Sequence, residues 1–113
     1  MYVIRMNNKK TKYTISIIEN GTITSYSLSS FSKNEISFGR DSKNDIVLNS
    51  PVVSAFHGHF TIENNTVTIH DDNSLNGFFI NSFIKKESFL LHDGDIVKID
   101  NPEYPLYEGI LMY

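Results

Sequence analysis

The apolar runs of this chain are short and closely spaced, and nearly every one stops at Asn, Asp, Gly or Ser. Runs of that length, punctuated by turn residues, suit strands and leave little room for helical repeats. Tyr2–Met6 and Tyr13–Glu19 read as strands, and Asn20-Gly21 joins the second of them to Thr22–Leu28 as a hairpin. Both turn residues tolerate positive φ, which a two-residue hairpin loop requires. A serine-rich link leads to Glu35–Gly39, followed by the short strand Asp45–Leu48. Gly58–Glu63 and Thr66–His70 form a second hairpin across Asn64-Asn65. Phe78–Ile80, Ile96–Ile99 and Leu106–Met112 complete the set.

No segment shows the periodicity of an amphipathic helix. Alternation places Gly58, Phe60 and Ile62 on one side of their strand and His59, Thr61 and Glu63 on the other. The pattern predicts an all-β fold, an antiparallel β-sandwich, with Ile46, Leu48, Phe60, Ile62, Val67, Ile69, Val97 and Ile99 turned inward. The 113 residues suffice for one domain with a real core, and no linker or repeat divides them. The expectation is a single domain over 1–113, standing alone or as a piece of something longer.

Composition excludes several functions. With no cysteine there is no disulfide framework, thiolate nucleophile or zinc–thiolate site, which fits a cytoplasmic setting. The formal net charge of −3 argues against gripping nucleic acid through phosphates, which calls for a basic face. Lysines group at Lys9, Lys10 and Lys12 and at Lys85–Lys86, and read as solvated turn residues. No run of about 18 apolar residues is present, so membrane insertion is not expected. The N-terminal apolar stretch is too short for a signal peptide.

The chemistry lies in short polar clusters between the strands: Gly39-Arg40, Ser54-x-x-His57, Asp71-x-x-Ser74-x-Asn76-Gly77, and Asn81. Only two arginines occur, Arg5 and Arg40, and one of them sits in this set. Arginine suits phosphate because its planar fork makes parallel charge-assisted hydrogen bonds and stays protonated. A serine hydroxyl can donate to a phosphate oxygen, and the Asn76 amide can hold the backbone of an extended peptide. Asp71 and Ser74 suit local bonds to loop backbone. Against this, Arg40 alone could be a surface residue paired with Asp41, and Asn76-Gly77 a simple hairpin turn between Thr66–His70 and Phe78–Ile80. A nucleophile reading of Ser54 with His57 lacks a nucleophile elbow and oxyanion donors. A metal reading would place His57 and His59 on one strand face with His70 or His92, but no carboxylate spacing completes a site.

Together and in this order the clusters resemble the forkhead-associated (FHA) domain, a phosphothreonine-peptide reader. Leu91-His-Asp-Gly-Asp95-Ile-Val-Lys-Ile99 resembles the Gly-Asp turn and strand that follow in that family. The resemblance runs from about Glu35 to Ile99. It implies a sandwich of about eleven strands with ligand loops at one end. It also implies a non-catalytic module without cofactor or metal, in signalling or secretion of bacterial type. Its partner would be a phosphothreonine-containing protein or a segment of the parent chain. Arg40 and Ser54 would hold the phosphate and Asn76 the peptide main chain, with Gly39, His57, Asp71, Ser74, Gly77 and Asn81 supporting the loops. Two positions depart from the family pattern. Leu75 stands where relatives often carry Thr, and Ala55 where many carry a polar or basic side chain. The pocket is therefore lean, and a phospho-independent FHA scaffold used for assembly is the alternative.

Overall fold

In the computed structural model the described residues are 2–7, 13–19, 22–81 and 87–100. They form ten strands: β1 (Tyr2–Asn7), β2 (Thr14–Glu19), β3 (Thr22–Ser27), β4 (Glu35–Gly39), β5 (Ile46–Val47), β6 (Gly58–Glu63), β7 (Thr66–Asp71), β8 (Phe79–Ile80), β9 (Ser88–Leu91) and β10 (Ile96–Ile99). One 3-10 turn, Leu28–Phe31, lies between β3 and β4. The expected strand Leu106–Met112 falls outside the described residues.

The strands make two five-stranded sheets, ordered β3-β2-β1-β10-β8 and β5-β4-β6-β7-β9. The all-β sandwich expected from the sequence is what forms. Alternation does the sorting: in β6, Gly58 and Phe60 are buried while His59 and Thr61 are only partly covered. Ile4, Ile15 and Ile17 of one sheet and Ile36, Phe38, Phe60, Val67 and Ile69 of the other supply the core. Of the side chains expected inward all are buried except Ile62, which packs partly covered against the cluster. Each such side chain contributes about 1.5–3 kcal/mol when removed from water.

The β6–β7 hairpin closes with Glu63 opposite Thr66. Asn64 and Asn65 both take positive φ, 52° and 62°, the conformation a tight loop of this hand needs.

Three features differ from expectation. β5 runs parallel to β4, pairing Phe38 with Ile46 and Gly39 with Val47, so the sandwich is not wholly antiparallel. β9 was not expected as a strand, because Phe89-Leu90-Leu91 does not alternate and directly precedes a turn. Finally, β8 pairs with β10 and not with β7. Asn76-Gly77 is therefore no hairpin turn; it lies in a crossover that carries the chain from one sheet to the other.

Candidate functional site

Gly39 ends β4 where two backbones nearly touch. A Cβ built there would lie 2.3 Å from the Ala55 carbonyl oxygen and 2.8 Å from Asn44 Nδ2. Only glycine fits, and its absent side chain lets the chain at Arg40 pair directly with the loop before β6. The Arg40 amide donates to the Ser54 carbonyl at 2.9 Å and the Asp41 amide to that of Ala55 at 3.0 Å. Asn44, buried, clamps the junction by donating from Nδ2 to Asp41 O (2.8 Å) and Ala55 O (2.7 Å). Sequence reasoning missed Asn44, and its one clue is an amide closing the polar stretch after Gly39-Arg40.

Arg40 reaches from this junction into solvent. Its Nε–H donates to the Val53 carbonyl at 3.0 Å, which fixes the plane of the guanidinium. No carboxylate of a described residue forms an ion pair with it. The neighbouring Asp41 accepts from the Lys43 amide at 2.8 Å instead. The side chain is thus anchored by one nitrogen, and both terminal nitrogens remain available for an anion.

Ser54 sits where three segments meet. Its hydroxyl oxygen accepts the Leu75 amide hydrogen at 2.9 Å, leaving the hydroxyl hydrogen to donate outward. Its own amide donates to His57 Nδ1 at 3.0 Å, and His57 Nε2–H donates to the Gly77 carbonyl at 2.8 Å. His57 is fully buried and stacks on Phe38, with centroids 5.9 Å apart. Burial holds its pKa below the ordinary 6.5, against the opposing pull of the Gly77 carbonyl and the charges of Asp71 and Asp72. A neutral ring with one donor and one acceptor is what this position uses, and through it His57 links the loop of Ser54 to that of Gly77.

The third cluster tightens on itself. Asp71 accepts from the Ser74 amide at 3.1 Å and from the Ser74 hydroxyl. The Ser74 oxygen in turn accepts the Gly77 amide hydrogen at 2.8 Å. Gly77 holds φ at 63°, a left-handed value suited to glycine. Asn76, buried, donates from Nδ2 to the Val52 carbonyl at 2.9 Å and so ties this crossover to the loop carrying Ser54. Its remaining hydrogen and its oxygen bond no described residue.

Arg40, Ser54 and Asn76 are accordingly brought together through Val52, Val53 and Ser54, with Gly39, Ala55, His57, Asp71, Ser74 and Gly77 supporting them. Leu75 contributes its amide and turns its side chain out, 83% exposed, so it does not pack on buried Phe78. Ala55 contributes its carbonyl, the acceptor for Asp41 and Asn44. Asn81 belongs elsewhere. It donates to Asp95 at 3.1 Å and accepts from the Ile96 amide at 2.8 Å, pinning the Gly94 turn to the end of β8.

His57 and His59 do not share a face: His57 points inward, while His59 stacks on His70 outside β6, centroids 4.6 Å apart, and bonds Asp72 at 3.0 Å. Burial and the neighbouring His59 lower the pKa of His70. Among the described residues no three His, Asp or Glu side chains converge as a metal site.

Comparison with known proteins gives a consistent picture. The family model for the FHA domain matches residues 36–100. The ABC transporter ATP-binding/permease protein Rv1747 of Mycobacterium tuberculosis is 34% identical over 76 residues, covering 67% of this chain but only 9% of the transporter. The solved FHA-2 domain of that transporter is 35% identical, with a TM-score of 0.52, over 58% of this chain and 60% of that one. EmbR from Mycobacterium tuberculosis, solved in complex with a low affinity phosphopeptide, shares the fold at a TM-score of 0.61 and 23% identity. That match covers 87% of this chain and 22% of EmbR.

Proposed function

The chain belongs to the FHA domain family, and from that membership we propose that it reads phosphothreonine in a partner protein, or in another segment of its own parent, without catalysing a reaction. The observation that carries this is Arg40: an exposed guanidinium, oriented by its Nε–H bond to Val53 and free of any carboxylate partner among the described residues. A fixed cation at a loop junction, with no internal anion, suits an external one.

Ser54 would add a hydroxyl hydrogen to a phosphate oxygen, and the free half of the Asn76 amide would take the peptide backbone. His57, Asp71, Ser74, Gly77 and Gly39 act by holding those three in place. The whole span 1–113 acts in this reading as one binding module of a cytoplasmic protein, or of the cytoplasmic part of a larger one. Among the described residues no helix is long and apolar enough to cross a membrane.

Titration with phosphothreonine peptides and their unphosphorylated twins tests the reading. Binding confined to the phosphorylated member supports it. Equal binding of both would assign the domain to phospho-independent assembly through its sandwich faces.

A further inference from the structure

Among the described residues, four large hydrophobic side chains stand exposed: Ile23, Phe56, Leu75 and Leu90. Ile23 and Leu90 lie on the strands β3 and β9. Phe56 and Leu75, 52% and 83% exposed, lie on the two loops that meet at Ser54. Their backbones are held. The Leu75 amide is tied to Ser54 Oγ, and Phe56 stands between the Ala55 carbonyl bonded to Asp41 and the His57 amide bonded to Phe38. The two side chains are thus exposed on braced loops that adjoin Ser54.

We infer that Phe56 and Leu75 form an apolar clamp that selects phosphothreonine peptides carrying a large apolar side chain beside the phosphothreonine. The inference rests on the phosphothreonine reading above and names the class of peptide that site takes. A peptide laid across Ser54 and Asn76 must pass these two side chains, and covering them removes apolar surface from water. Charge points the same way. The site segments carry the carboxylates Asp41, Asp71 and Asp72 against the cations Arg40 and Lys43. Once the phosphate has taken Arg40, the three carboxylates outnumber the remaining Lys43 and the net charge does not favour acidic flanking residues.

The test uses peptides with a fixed phosphothreonine in which each flanking position in turn carries Leu, Asp or Ala, titrated into the whole chain. At one or more positions Leu should bind about tenfold more tightly than Ala, and Asp no better than Ala. Phe56→Ser should cut the advantage of Leu while keeping the affinity for the Ala-flanked peptide, because no hydrogen bond of the site involves its side chain. Leu75→Ser should reduce the advantage further, and both variants should melt like wild type. Phosphate-dependent binding with no preference among Leu, Asp and Ala overturns the clamp and leaves the phosphothreonine reading standing. So does a Leu preference that survives both substitutions together. Failure of every phosphorylated peptide to bind overturns both.

Discussion

The Ser54 amide hydrogen points at Nδ1 of His57, 3.0 Å away, and this bond fixes the ring as the neutral form protonated at Nε2. Adding a proton to Nδ1 would remove the acceptor and set two donors facing each other at the centre of the site. The state of a buried histidine thereby governs the loop that carries Ser54.

That arrangement fixes a pH dependence. Burial lowers the His57 pKa below 6.5 in the folded chain, so the unfolded state takes up the proton first as pH falls. The contribution of neutral His57 to stability is complete above about 6.5 and is lost progressively below it, towards the folded value. Urea unfolding without peptide should show stability declining on acidification from that point, and the His57 ring signals should titrate below those of an exposed histidine. A ring that titrates at or above the ordinary value would contradict this.

Gly39→Ala should be strongly destabilising. Its methyl group would meet the Ala55 carbonyl at 2.3 Å, forcing apart the pairing that holds Arg40 against Ser54. Overpacking of this kind costs about 1–3 kcal/mol or more. A lower urea midpoint and lost peptide binding are expected together.

Asn76→Ala removes the Nδ2 donor and leaves the Val52 carbonyl without it. Losing a hydrogen bond to this partly buried carbonyl costs about 0.5–1.5 kcal/mol, so unfolding should shift by that order. Peptide binding should fall as well, and should not recover at temperatures well below the variant's melting point.

Much of this site is legible in the sequence because its elements announce themselves locally. Gly39-Arg40 and Asn76-Gly77 carry backbone requirements in their residue types, and Ser54-x-x-His57 is close enough along the chain to close its own hydrogen bond. The strand pattern likewise follows from alternation, as in β6 and β7. What escaped depends on partners distant in sequence. An Asn-Gly pair looks the same in a hairpin and in a crossover, so the passage from β7 to β8 between sheets could not be read. The parallel pairing of β5 with β4 leaves no periodic trace in a two-residue strand. Asn44 gains its role from the Ala55 carbonyl, and Arg40 its orientation from Val53; neither contact has a local signal. Asn81 matched the order of the motifs yet serves the Gly94 turn.

Binding should also follow the phosphate's own titration. Affinity should weaken as pH falls through about 6, where the dianion becomes the monoanion and offers Arg40 less charge. Peptide titrations on either side of that value check this, and unfolding curves at the same pH separate it from the His57 effect. An affinity unchanged across that range would point to a site that ignores phosphate.

The most direct measurement is the affinity of Arg40→Ala and Arg40→Lys for a phosphothreonine peptide that wild type binds, alongside the unphosphorylated twin. Truncating one partner of a hydrogen-bonded charge pair costs about 2–5 kcal/mol, or roughly two to three decades of affinity. Arg40→Ala should lose binding on that scale while its stability changes by no more than about 1 kcal/mol, the worth of the hydrogen bond to Val53. Arg40→Lys should fail nearly as badly, since an ammonium has neither the planar fork nor the Nε–H that orients it. Wild-type affinity in Arg40→Ala, or equal binding of the two twins, would contradict the phosphothreonine account.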